Sequence, residues 1–103
     1  MNFKEYSKES SKELFYPHSI AEGVSIAPLY LALGINGEAG EVGEKVKKVY
    51  RDSGGVFTPE SILEIKKEIG DVLWYLNRLS EELGFSLEEA SKLNIIKLQD
   101  QIS

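Results

Sequence analysis

The sequence contains no cysteine and a single histidine, His18. The first absence excludes a disulfide framework and any thiolate metal site. The second excludes a site built from several histidines of one chain. A chain without cysteine suits a reducing compartment, so a cytoplasmic protein is the expectation. No apolar run approaches the roughly 20 residues of a membrane span. Residues 1–13 are polar and charged, so no signal peptide is expected. Excess positive charge is also missing: 12 Lys and Arg stand against 17 Asp and Glu, for a formal net charge of −5. That balance argues against a general nucleic-acid binder, while leaving room for a local basic patch that contacts phosphates. Strand signals are weak throughout.

What remains is helical pattern. With 103 residues, 42% hydrophobic and 28% charged, the composition fits one soluble domain over residues 1–103 with one core. Four helical segments are expected, giving an all-α, four-helix bundle-like subunit. The first runs from about Asn2 to Phe15 and stops before Pro17. The second runs from about Ala27 to Arg51, with Pro28 in its first turn and Asp52-Ser53-Gly54-Gly55 as its stop. Leu31, Ile35, Val42, Val46 and Val49 fall within roughly 60° of one another on its wheel. The third begins with Thr58 as N-cap and Pro59 at the first helical position. Its apolar stripe is Ile62, Ile65, Ile69, Val72, Leu76, Leu79 and Leu83, with Gly84 beyond its end. Ser86 and Glu89 form a capping box for the fourth, where Leu87, Ala90, Asn94 and Leu98 share one side. Leu63 and Trp74 point away from the stripe of the third helix, which implies a second apolar face and oligomerisation.

Two short stretches carry the candidate chemistry, Glu38-Ala39-Gly40-Glu41 and Glu68-Ile69-Gly70-Asp71. Residues three apart on a helix project side by side, so each stretch presents a carboxylate pair on the flank of its apolar stripe. An antiparallel pairing of the second and third helices brings four acids together. Such a cluster must raise pKa values or recruit cations, and carboxylate oxygens suit Mg²⁺ or Mn²⁺. The plainer reading is a solvated acidic edge, with Glu41–Lys45 and Glu44–Lys48 as ordinary surface pairs. The second helix also carries Gly34, Gly37, Gly40 and Gly43. Each glycine costs up to about 1 kcal/mol against alanine, so the series implies close helix approach or room for a ligand. Trp74 is expected in packing, and His18 as an exposed loop residue.

The combination of Glu38-x-x-Glu41 with Glu68-x-x-Asp71, the run Leu33-Gly34-Ile35-Asn36-Gly37 before the first pair, and Asp71-Val72-Leu73-Trp74-Tyr75 with Asn94 and Lys97 after the second, resembles the signature of MazG-like nucleotide pyrophosphohydrolases. The resemblance covers most of the chain and is weakest before Ala27. It implies an oligomeric all-α fold, a homodimer or homotetramer, that hydrolyses nucleoside triphosphates to the monophosphate and pyrophosphate with Mg²⁺ or Mn²⁺. It makes Glu38, Glu41, Glu68 and Asp71 the metal ligands, with Glu38 or Glu41 as the proton acceptor. Asn94 and Lys97 match positions that face the nucleotide, and Lys45, Lys48 and Tyr75 are further candidates for substrate contact. Many such proteins continue beyond these positions with arginines. Here Gln101-Ile102-Ser103 follows, so part of the phosphate-contacting charge is expected to be missing or to come from another subunit. A phosphoribosyl-ATP pyrophosphohydrolase, a dUTP- or dCTP-selective enzyme, and a non-catalytic helical interaction module are the alternatives.

Overall fold

The computed structural model describes residues 1–12, 16–17, 20–21 and 23–102. Four helices are present: α1 (Phe3–Ser10), α2 (Ala27–Ser53), α3 (Pro59–Glu82) and α4 (Leu87–Ile102). Between α1 and α2 lies a two-residue antiparallel ladder, β1 (Ile20–Ala21) with β2 (Val24–Ser25). Among the described residues the fold is all-α apart from this ladder.

The helix signals act where the sequence puts them. The Thr58 hydroxyl accepts from the Ser61 N–H at 3.1 Å, and the Ser61 hydroxyl accepts from the Thr58 N–H at 2.9 Å, closing a capping box at the start of α3. The Ser86 hydroxyl accepts from the Glu89 N–H at 3.1 Å and so caps α4. Gly55, at φ +85°, and Gly84, at φ +87°, turn the chain after α2 and α3 through the left-handed region, where a side chain would be strained. The first helix is shorter than expected. It ends at Ser10, where the Ser11 N–H still reaches the Ser7 carbonyl at 3.0 Å, and Leu14 and Phe15 lie outside the described residues.

α2 and α3 form an antiparallel pair. Lys45 on α2 meets Glu64 on α3 at 3.9 Å, and Gly34 lies directly under the ring of Tyr75. The buried core sits at the Gly34 end of this pair. Tyr16, Ala27 and Leu31 are its fully covered members, and Trp74, Tyr75 and Leu79 pack against them. α1 docks on α3 through polar contacts. The Ser7 hydroxyl donates to Glu81 at 2.9 Å, and the buried Asn77 amide donates to the Ser10 hydroxyl at 3.2 Å. Tyr16 donates to Glu82 at 2.7 Å and accepts from Arg78 Nε at 3.4 Å.

The α2 stripe behaves as its pattern predicts: Leu31 and Val49 are buried, and Ile35, Val42 and Val46 are half-buried. The α3 stripe does so only in part: Ile65, Val72 and Leu79 are half-buried, with Leu79 against the core. Ile62, Ile69, Leu76 and Leu83 are exposed. The reason is rotational. α2 covers the edge of α3 that carries Glu64, Glu68 and Tyr75, about a quarter-turn from the stripe. Trp74, expected on a second apolar face, is part of the core, whereas Leu63 is exposed. α4 runs away from the other helices with no buried residue. The radius of gyration is accordingly 16.6 Å, against about 13 Å for a compact domain of this length. No described helix is long and apolar enough to cross a membrane.

Candidate metal centre

Glu38 on α2 and Glu68 and Asp71 on α3 each present a carboxylate oxygen within 4.8 Å of the other two. The convergence follows from the helix pairing. The register that sets Gly34 against Tyr75 and Lys45 against Glu64 places Glu38 level with Asp71, and Glu68 follows one turn back along α3. Glu38 and Glu68 are half-buried, and Asp71 is exposed.

The electrostatics are one-sided. Burial pushes the Glu38 carboxyl above its usual range, and the Asp71, Glu68 and Glu41 carboxylates push it further the same way. The charged groups acting on Glu38 are thus all of one sign. Three hard oxygen donors on a rigid helix pair, with mutual repulsion unrelieved, fit a divalent cation of the Mg²⁺ or Mn²⁺ type. Glu41 stands beside this group. It is close enough to act on Glu38 but lies outside the 4.8 Å set, and it is exposed.

The neighbours of the acids differ at the two ends. Toward the start of α2 they are aromatic. Tyr75 sits beside Glu38 and Asp71, and burial first, then the neighbouring Tyr30 and these two carboxylates, raise its pKa. Tyr6, from α1, lies near Asp71; burial first, and that carboxylate second, raise its pKa. Toward the α2–α3 turn the neighbours carry both signs of charge. Lys45 and Lys48, with Asp52, Ser61 and Glu64, line a depression of about 250 Å³.

Of the residues singled out in the sequence, the structure therefore gathers Glu38, Glu68 and Asp71, with Glu41 and Tyr75 adjoining and Lys45 and Lys48 further along the pair. It does not gather Asn94 and Lys97, which are exposed on α4. His18 lies outside the described residues. Tyr6 and Tyr30 were not foreseen. Tyr30 shares an edge of α2 with Glu41 and Lys48, which a helical wheel contains. Tyr6 reaches the site only through the docking of α1, which no local pattern encodes. The glycine series divides as well. A Cβ on Gly34 would strike the Tyr75 ring, whereas at Gly37, Gly40 and Gly43 it would meet nothing within 4 Å.

An all-α chain with a carboxylate triad across an antiparallel helix pair defines a class of helical proteins suited to holding a divalent ion. Residues 27–101 match the family model of the MazG nucleotide pyrophosphohydrolase domain, and the chain belongs to that family. It is also 41% identical over 80 residues to the gene 37 protein of Mycobacterium phage L5, a match covering 78% of this chain and 67% of that protein. No solved structure matches the chain.

Proposed function

We propose that the chain, as a single domain over residues 1–103, is a cytoplasmic, Mg²⁺-dependent pyrophosphohydrolase. It converts ribo- or deoxyribonucleoside triphosphates, non-standard ones included, to the monophosphate and pyrophosphate. The observation that carries this reading is the convergence of Glu38, Glu68 and Asp71 within 4.8 Å in a chain of this family. These three side chains would hold the ion. When bound, Mg²⁺ or Mn²⁺ neutralises phosphate oxygens and acidifies water. Glu41, exposed and one turn from Glu38, accepts the proton of the attacking water. Water oxygen adds to the α-phosphorus, and the oxygen bridging to the β-phosphorus leaves with pyrophosphate. Lys45 and Lys48 offer point charges to that departing end, and Tyr75 borders the site on the other side.

The working form is a homo-oligomer, a dimer or a tetramer. The subunit exposes 7474 Å², about 1,700 Å² more than a compact monomer of its mass. An excess of that size on each partner matches an obligate dimer interface. The exposed α3 stripe and the apolar side of α4 supply it, and a second copy brings Asn94 and Lys97 to the nucleotide. Product analysis on the eight common nucleoside triphosphates with Mg²⁺ tests the activity. Monophosphate and pyrophosphate in equal amounts support it, and no turnover of any of the eight refutes it.

A further inference from the structure

The site is polar along its length, and its two ends differ in chemistry. Around the axis of α2, Tyr30, Gly34, Glu41, Lys45 and Lys48 all fall within about 80° of Glu38. They therefore form one continuous edge, aromatic at one end, acidic in the middle and bearing Lys45 and Lys48 at the other, where Glu64 and Asp52 stand beside them. Tyr30 lies about 12 Å along the axis from Glu38 on one side, and Lys45 about 10 Å on the other. Tyr75, four residues beyond Asp71, closes the aromatic end at about 6 Å from the acids. The reach across one sugar, from a base to the first phosphates, is of the same order.

The aromatic end is built rather than incidental. Tyr75 packs edge-on to Trp74 at 5.0 Å between ring centroids, and Trp74 edge-on to Tyr16 at 5.9 Å. Tyr16 in turn lies near-parallel to Tyr30, at 6.3 Å and 21°. The missing side chain at Gly34 admits the Tyr75 ring to this array, where it lies beside Tyr30. Three of the four rings are covered or half-covered. Tyr30 is 42% exposed although it lies near-parallel against Tyr16. A fixed aromatic ring left open to solvent beside a phosphate-type site is a platform for a flat heteroaromatic group.

On the reading of the acidic centre given above, we infer that Tyr30 is the base-stacking residue of this site. The nucleotide lies along α2 with its base on Tyr30 and its phosphates running past the acids toward Lys45 and Lys48. Stacking accepts every base, because each has a π-face. This end of the groove therefore selects nucleotides against base-free polyphosphates and does not choose among bases.

The test is calorimetric binding with Mg²⁺ of an α,β-methylene nucleoside triphosphate, whose carbon bridge resists hydrolysis, against inorganic tripolyphosphate. The parent is expected to prefer the nucleotide by about 10-fold or more, the scale of one aromatic–base stack. Tyr30→Ala should remove most of that preference, and Tyr30→Phe should keep it. Upfield movement of the base-proton resonances on binding gives an independent reading on the parent alone, should Tyr30→Ala fail to fold. Equal affinity for the two ligands, unmoved base protons, or a Tyr30→Phe variant as weak as Tyr30→Ala each overturns the inference. Nucleoside triphosphate turnover by a protein with no such preference would keep the proposed activity and sink only the placement of the base. Preference without turnover would do the reverse.

Discussion

Gly34 and Gly37 are both interior to α2, three residues apart, yet alanine at the two positions should have opposite effects. The propensity gain is the same at each, about 1 kcal/mol in favour of alanine. At Gly37 nothing stands within 4 Å of the added carbon, so the gain is kept. At Gly34 the added carbon falls inside contact distance of three atoms of the Tyr75 ring, the furthest of them, Cζ, at 2.7 Å. That ring cannot swing aside freely, because Trp74 lies 5.0 Å away edge-on. Overpacking of this kind costs about 1–3 kcal/mol. Gly37→Ala should thus be more stable than the parent by about 1 kcal/mol, and Gly34→Ala less stable by about 0–2 kcal/mol. Their melting temperatures should differ by roughly 5–15 °C for a domain of this size. Thermal melts of both variants without metal, and of Gly34→Ala in a Tyr75→Ala background, make the assay. In that background the ring is gone, and Gly34→Ala should turn stabilising, a coupling that two independent sites would not show. Equal melting temperatures for Gly34→Ala and Gly37→Ala would refute the close approach of α2 and Tyr75.

Asp71→Asn should fold normally, with a stability change under about 0.5 kcal/mol for an exposed residue, while pyrophosphate release falls by orders of magnitude. A fully active variant would remove Asp71 from the mechanism. Mg²⁺ at 100 times its dissociation constant should stabilise the fold by about 2.7 kcal/mol, a gain that chelation reverses and Glu68→Gln abolishes; an unchanged melt across millimolar Mg²⁺ would speak against a metal centre. Without metal, the pKa of Glu38 is raised in the folded state, so its contribution to stability is present at low pH and is lost as pH rises through that pKa. The melting temperature of Glu38→Gln minus that of the parent should therefore grow from pH 4 to pH 7, and a flat or falling difference would contradict the repulsion argued for the site. Sedimentation at micromolar concentration should show a dimer or tetramer, and a stable monomer would leave the exposed α3 and α4 surface unexplained.

The sequence alone determined the long helices and the positions of the acid pairs on them. Capping residues and turn glycines act over three or four positions, so Thr58, Ser86, Gly54 and Gly84 marked helix boundaries without any tertiary help. The acid pairs were legible for the same reason, since neighbours one turn apart are set by helical geometry. Only the tertiary structure decided which of them converge. Glu38, Glu68 and Asp71 meet because the pairing of α2 and α3 has a definite register and rotation, and one helix at a time contains neither. That rotation also left Ile62, Ile69, Leu76 and Leu83 of the α3 stripe exposed, although its periodicity read as core. A stripe records that a surface needs burial and does not say which surface covers it. Tyr6 came to Asp71 through the docking of α1, which rests on contacts such as Asn77 with Ser10, 67 positions apart. Tyr30 became part of a ring array through Tyr16, Tyr75 and Trp74 on other elements. Contacts between distant parts of the chain have no local signature, and for that reason the aromatic end of the site was visible only once the helices were packed.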